Sequence, residues 1–555
     1  MPVPNAHSKV PLMFRSQIQG RSQLHYPRTG DAERWVSEWI EKVYDKPIDF
    51  GKEVKTDTFK FNWRLVTNGG QDDGMIRPVI GAFGIPFFPG SSMKGVFRRV
   101  CHADQALRYC GNGDQPGILR FHGGYPTQDY DWTNNLLDLV HPQQGWQVQT
   151  NNTRQKPQGE SAFALVSLFE PEFQFAISST ENLSDEEWQT IWDLWKSAIA
   201  SGLGCRVSAG YGMPKNAQTP KERLIGKFHL KGEGLATKNL SGEVEFRPNM
   251  FKAAIRGHGL RIFGGLTTAD NAKKIIEQLF GGITGEGSVG LVKMSWQNRK
   301  IRFAEFYGPY REDIYSAEGD LQWILTSSLP QEQKIVLSKL IKLLTRFAML
   351  LGGFGKSWRR ADHDLFYPEY YETRHRKPLI GCHWQYGKQS QLPCNLITTV
   401  DDITPFLEEL RTFAQKWLEL QNIGTNNNGC NWREAWTPNK VQVWARVAEH
   451  NEDSEAIHWF HGAYRQQPQG SIYRTNLTGN IHQISRIWHR MYPKFSLEPN
   501  PNNPKKPVIE DSENYLEILV VFPDNSPEFT SFQNYLNSNN IDFQKVWGNL
   551  YPLNR

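Results

Sequence analysis

Several things are scarce in this chain. Cysteine is rare, with 6 in 555 residues, and no two are spaced C-x-x-C. That excludes a disulfide framework and a four-cysteine zinc module, and it points to a reducing compartment. No apolar run approaches the roughly 18 residues of a membrane span. The N-terminus shows no charged head followed by an apolar stretch, so the expectation is a cytoplasmic protein with no membrane partner. Net charge is only +5. A polyanion site must therefore come from local clustering rather than from overall basicity.

Three such clusters are present, each without an acidic residue. Phe246 to Ala269 holds Arg247, Lys252, Arg256 and Arg261; Leu343 to Ala361 holds Arg346, Lys356, Arg359 and Arg360; Arg474 to Lys494 holds Arg474, Arg486, Arg490 and Lys494. Aromatics are abundant, with 19 Trp, 19 Tyr and 31 Phe, enough for a substantial core.

One pattern occurs twice. Pro89-Gly-Ser-Ser-Met-Lys-Gly-Val-Phe-Arg-Arg99 and Arg247-Pro-Asn-Met-Phe-Lys-Ala-Ala-Ile-Arg256 align on Lys94 and Lys252. Each reads as a turn opening a helix. Met93/Phe97 and Phe251/Ile255 share its apolar face, and Lys94/Arg98 and Lys252/Arg256 share the adjacent one. Free N–H groups at a helix start, flanked by cations, suit a phosphate backbone. The alternative is a pair of amphipathic surface helices with solvated cations. Around both copies the order strand, basic helix, strands, helix, glycine-rich loop recurs, which predicts a β-α-β-β-α-β plan used twice. The first glycine loop runs through Gly202, Gly204, Arg206, Gly210 and Gly212; the second is Gly352-Gly-Phe-Gly355, followed by Lys356, Arg359 and Arg360. Glycine admits positive φ and close backbone approach, to a phosphate or base on one reading and as a helix C-cap on the other. Gly355-Lys356-Ser357 ends like a P-loop, but Leu350 stands where the first glycine is required and the loop follows its helix, so no nucleotide cofactor is expected. His458-x-x-His461 lacks further ligands at metal spacing. His258 lies among Arg256 and Arg261, and His489 and Trp488 among Arg486 and Arg490. Both groups read as RNA-facing, with a buried Trp488 as the alternative.

These motifs resemble the RAMP superfamily, the repeat-associated backbone proteins of type III CRISPR effector complexes. The resemblance rests on Pro89 to Gly95, Gly202 to Gly212, Leu136-Leu-Asp-Leu-Val-His-Pro142, Arg247 to Arg256, Gly352 to Arg360 and Asn476 to Pro493. It implies an α+β chain of two tandem ferredoxin-like (RRM-like) domains with long insertions. Residues 1–58 would be an N-terminal extension. A first domain would span 59–220, with a thumb-like insertion at about 112–160. A second would span 221–555, with an insertion at about 364–435 and a C-terminal extension. It implies guide and target RNA and other effector subunits as partners. RNA contacts would come from Ser91, Ser92, Lys94, Arg98, Arg99, Gly204, Arg206, Gly210, Gly212, Arg247, Lys252, Arg256, His258, Lys356, Arg359, Arg360, Arg486 and Arg490. It also implies target-RNA cleavage by Asp72 or Asp73 in the loop before the first basic helix, either through Mg2+ or another divalent cation or by orienting the ribose hydroxyl. An ordinary Asp-Gly turn is the competing reading of that loop. Domain two has only Glu243 and Glu245 in the matching loop, so cleavage is expected from domain one alone. Two other functions fit the same residues: a stand-alone ribonuclease that processes precursor guide RNA, and a scaffold or capping subunit without chemistry.

Overall fold

The computed structural model describes residues 29–41, 43, 48–67, 69–72, 75–127, 131–140, 145–149, 163–239, 242–282, 288–306, 312–355, 382–387, 397–426, 428–450, 453–461, 470–478, 485–498, 508–524, 526–538 and 541–550. They form a mixed α+β chain of small, mostly antiparallel sheets in two compact units. One lies within 1–142, 160–221 and 237–245; the other lies within 143–159, 222–236 and 246–555.

In the first unit, β1 (Lys55–Lys60), α1 (Gly90–Arg98), β2 (Leu119–Pro126), β3 (Glu172–Ser179) and α2 (Asp185–Ile199) follow in order. The sheet runs β1-β3-β2, all antiparallel. Alternation in β3 sends Phe173, Phe175 and Ile177 into the core, where Met93 and Phe97 of α1 and Trp195 of α2 meet them. Each such side chain contributes about 1.5–3 kcal/mol by leaving water. Ser184 Oγ accepts from Glu187 N at 3.3 Å, and Asp185, Glu186 and Glu187 occupy the first turn of α2, where acids oppose the positive helix end. β2 occupies 119–126, so the first part of the expected 112–160 thumb is a strand of the central sheet. Gly123-Gly124 and Pro126 hide it in the sequence. Residues 128–130, 141–144 and 150–160 of that span lie outside the described residues.

The second unit repeats the plan in full. β4 (Leu224–Leu235), α3 (Asn249–Gly264), α4 (Ala269–Phe280), β5 (Val292–Phe306), β6 (Glu312–Leu325), α5 (Gln331–Phe347) and β7 (Cys382–Tyr386) build a sheet in the order β5-β6-β4-β7. β7 falls inside the expected 364–435 insertion, which also holds a long helix, α6 (Ile403–Leu420).

A third copy then appears where the sequence predicts only a C-terminal extension with strands at Val441 to Val447 and Tyr515 to Phe522. β8 (Gln442–Ala448), α7 (Glu455–His461), β9 (Ile487–Glu498), β10 (Val508–Val521), α8 (Pro527–Leu536) and β11 (Gln544–Trp547) form a sheet in the order β9-β10-β8-β11. By position in the plan this is the same second-third-first-fourth order as in the preceding sheet. Both faces are covered. Trp444, Leu519 and Val521 pack under Phe529 and Phe532 of α8. Val443, Ala445, Trp488 and Ile518 join the core that contains Phe347 and Trp436.

A buried polar network ties this third sheet to its first helix. Glu517 accepts from Arg446 Nε at 2.6 Å, Ser454 Oγ at 2.6 Å, and the amides of Glu455 and Ala456 at 3.1 and 3.0 Å. His489 Nε2 lies 2.9 Å away. Burial pushes the Glu517 carboxyl up, but the hydrogen bonds and cations prevail and hold it below the ordinary 4.5. A depressed folded-state pKa stabilises above the unfolded value, and that contribution is lost as pH falls through the folded one. Glu517→Ala should therefore cost about 3–5 kcal/mol at neutral pH, because it strands Arg446 and the α7 amides. Glu517→Gln should cost less, and its deficit relative to the parent should shrink as pH is lowered from 6 towards 3. Thermal melts across that range check both.

Candidate nucleic-acid interface

The two aligned basic helices share an internal clamp. Arg98 Nη1 donates to the Gly111 carbonyl at 2.5 Å, and Arg256 Nη1 donates to that of Gly281. Each glycine follows a helical segment at positive φ, 75° and 84°. In each case a second glycine closes the loop against the first: a Cβ on Gly117 would lie 2.5 Å from Gly111 N, and one on Gly290 would lie 2.3 Å from Gly281 N. Met93, Phe97, Phe251 and Ile255 are all fully buried, as their shared face requires. The alignment thus pairs equivalent residues, but each arginine holds its own repeat together. That competes with the expected phosphate role of Arg98 and Arg256.

Both helix starts follow a proline with no side-chain cap and no acid in the first turn, and they differ in exposure. At α1, Ser91, Ser92, Lys94 and Arg99 are exposed. The uncapped amides of that turn stand beside Lys94. At α3, Lys252 is only 8% exposed and Arg247 is half-buried. Burial pulls the Arg256 guanidinium below its ordinary pKa, partly opposed by Glu277. The open basic turn is therefore a property of the first copy.

The first glycine loop has a steric cause. Gly204 and Gly212 both take positive φ, and a Cβ on either would strike a carbonyl oxygen at 2.0 or 1.9 Å, of Val66 and Leu203 respectively. Gly210 closes the short turn Val207–Ala209 at φ 91°. Arg206 stacks its guanidinium over Tyr211 at 5.4 Å, and Tyr211 donates to Asp138 at 2.6 Å. Burial raises the Tyr211 phenol to about 12, so it stays a donor. Gly204 itself is exposed and Arg206 half-exposed.

Other expected contacts lie inside the protein. His258 is 4% exposed, its Nε2 lies 2.9 Å from the Gly353 carbonyl, and burial beside Arg261 lowers its pKa to about 3. It is a neutral core histidine. Arg490 is 1% exposed and donates to the Trp384 carbonyl at 3.1 Å; Trp488 stacks on Trp436. Arg486 pairs with Asp524 at 2.9 Å. Apolar packing from both faces of the third sheet explains these placements, and they remove His258 and Arg490 from any RNA-facing surface. Lys356, Arg359, Arg360 and Asp73 lie outside the described residues. Asp72 ends the strand Gly70–Asp72, which pairs with Met75–Arg77. Among the described residues no group of three His, Cys, Asp or Glu could hold a metal ion, and no helix is long and apolar enough to cross a membrane.

No family model matches the chain, and no curated protein matches it. Among solved structures, it is similar to a chain of the type III-B Cmr-beta complex bound to cognate target RNA, at 19% identity and TM-score 0.23, over 29% of this chain and 56% of that one. It thus spans about half of that relative. It is also similar to Cmr6 from Pyrococcus furiosus (18% identity, 29% of this chain, 96% of that chain, TM-score 0.21) and to a chain of a type IV-B CRISPR complex (17%, 29%, 86%, TM-score 0.20).

The clamp separates two kinds of cation. Arg256→Ala should lower thermal stability by about 1–3 kcal/mol, because it leaves a carbonyl unsatisfied. Lys94→Ala should stay within about 0.5 kcal/mol of the parent. Denaturant titration of both variants checks the distinction.

Proposed function

We propose that the chain is an RNA-holding backbone subunit of a type III CRISPR ribonucleoprotein, built on ferredoxin-like repeats, and that it grips the guide backbone at the start of α1. The observation that carries this reading is the open turn Ser91-Ser92-Met93-Lys94, with uncapped amides and exposed cations on a helix fixed from behind by the Arg98 clamp. Rigid support and a free polar front are what a sequence-independent phosphate contact needs. The sequence resemblance supplies the complex, and the repeated β-α-β-β-α-β order supports the fold.

The reading is narrower than the residue types alone imply. Lys252, His258 and Arg490 are interior, which favours scaffolding as the role of the second and third repeats. Target cleavage at the Asp72/Asp73 turn belongs to the proposal through the resemblance, as does a divalent cation there. Its test is the assembled complex, in which the Asp72→Asn/Asp73→Asn double variant should lose one cleavage product and keep target binding. A stand-alone processing nuclease would instead turn over precursor RNA without partners.

For the grip itself, filter binding of single-stranded RNA across a salt series is decisive. Lys94→Ala and Arg99→Ala should each weaken binding for all sequences alike and flatten the log–log salt slope by about 0.7 per lost contact. Lys252→Ala should leave the slope unchanged. An unchanged slope in the Lys94/Arg99 double variant overturns the proposal.

A further inference from the structure

Within the first unit a cleft of about 330 Å3 is lined by Lys60, Asp131, Asn134, Asn135, Phe169 and Glu170. None of them belongs to the basic turn or the glycine loop. The volume lies at the small end for ligand sites, enough for a single nucleoside-sized group.

The lining is fixed before any ligand arrives. Asp131 accepts from Thr133 Oγ1 at 2.5 Å, from Thr133 N at 3.1 Å and from Asn134 Nδ2 at 2.7 Å, and these bonds, the Thr133 hydroxyl foremost, hold its carboxyl below the ordinary range. The half-exposed Phe169 ring is backed by the fully buried Arg64 guanidinium at 5.3 Å. Arg64 Nη1 also donates to the Asn135 carbonyl at 2.9 Å. Asn239 Nδ2 donates to Asn135 Oδ1 at 3.0 Å. Two lining residues, Asn135 and Glu170, take positive φ, 55° and 43°. For asparagine this is cheap. For glutamate it costs about 1–3 kcal/mol and persists only where the surroundings impose it. Here the Glu170 amide donates to the Trp63 carbonyl at 2.6 Å. The cleft thus brings together an aromatic surface, two carboxylates, two amides and one exposed lysine.

We propose that this cleft takes one nucleotide of single-stranded RNA, with the base against Phe169, its exocyclic amino hydrogens donated to Asp131 or Glu170, and its phosphate on Lys60. The chemistry selects among ligands. The acceptor oxygens of Asp131 and Glu170 suit an amino-bearing base, which favours adenine, cytosine and guanine over uracil. The proposal rests on the RNA-holding reading for its biological ligand, but the cleft is testable without it.

The full chain is titrated with AMP, CMP, GMP and UMP by calorimetry, and in parallel with a 12-nucleotide single-stranded RNA by filter binding. At least one amino-bearing mononucleotide should bind with a Kd of about 1 mM or tighter, and UMP should bind at least about fivefold more weakly. Phe169→Leu should weaken that mononucleotide about tenfold, the scale of one base–aromatic stack. Glu170→Gln and Lys60→Ala, both at exposed positions, should each weaken it several-fold and decide the matter should Phe169→Leu fail to fold. No saturation by any of the four mononucleotides overturns the proposal, as does binding unchanged in all three variants. Salt-dependent RNA binding without mononucleotide binding removes the cleft and leaves the RNA-holding reading. Mononucleotide binding without RNA binding does the reverse.

Discussion

One buried guanidinium organises the first unit. Arg64 is fully enclosed, and every hydrogen-bonding nitrogen has a partner: Nε and Nη2 reach both oxygens of Glu245 at 2.8 and 2.7 Å, and Nη1 reaches Ser167 Oγ and the Asn135 carbonyl. Burying two charges costs several kcal/mol each, and the pair is favourable only when geometry and hydrogen bonding are this complete. Trp63 Nε1 adds a further donor to Glu245. The consequence is topological. Glu245 lies beyond β4 in sequence, yet the segment 237–245 belongs to the first unit. The same side chain backs Phe169 and holds Asn135, so the cleft depends on it as much as the fold does.

Arginine is used here mainly as mortar. Arg98 and Arg256 close their own repeats on glycine carbonyls, Arg446 serves Glu517, and Arg261 pairs with Glu434 at 2.6 Å. A planar fork of donors suits such internal bonding, whereas lysine, a hydrated point charge, more naturally stays outside. Counting basic residues in acid-free windows therefore overstates the polyanion surface. Of the window from Arg474 to Lys494, Arg486 and Arg490 are both committed to protein partners.

The duplication was legible because the repeated helices keep the same spacing of apolar and basic residues, and burial of Met93, Phe97, Phe251 and Ile255 follows from it. What the arginines bond to was not legible, since their partners are backbone carbonyls with no side-chain signature. The third repeat was hidden for a different reason. Its first helix carries no basic pair, and the strand Ile487–Glu498 carries Arg490, Pro493 and Lys494, so it reads as a basic cluster rather than as a strand. β7 escaped because five residues, Cys382–Tyr386, stand far from the helix that precedes them. The glycine loop was seen, yet its cause is local: Gly204 and Gly212 rest on carbonyl oxygens, a contact no sequence pattern distinguishes from approach to a phosphate.

Three copies of one topology need not share one surface. The third sheet has apolar cores against both faces. The second carries a polar outer face that is only partly open: His229 bridges Asp320 and Glu318 at 3.0 Å each, Lys293 is 4% exposed, with burial lowering its pKa to about 8, and Lys227 and Arg299 are exposed but paired with Asp320. On the first sheet, Thr56, Thr58, Lys60, Arg120 and His122 all remain exposed. Thr56, Thr58, Lys60 and Arg120 pair with Ala176, Gln174, Glu172 and Ser178, which alternate with the core-facing Phe173, Phe175 and Ile177 of β3 and so mark the opposite face. The open turn at Lys94 and the cleft at Phe169 belong to that same first unit. Burial, more than residue type, decides which polar surfaces stay open, and among the described residues the first copy combines a polar sheet face, an exposed basic helix start and the cleft at Phe169.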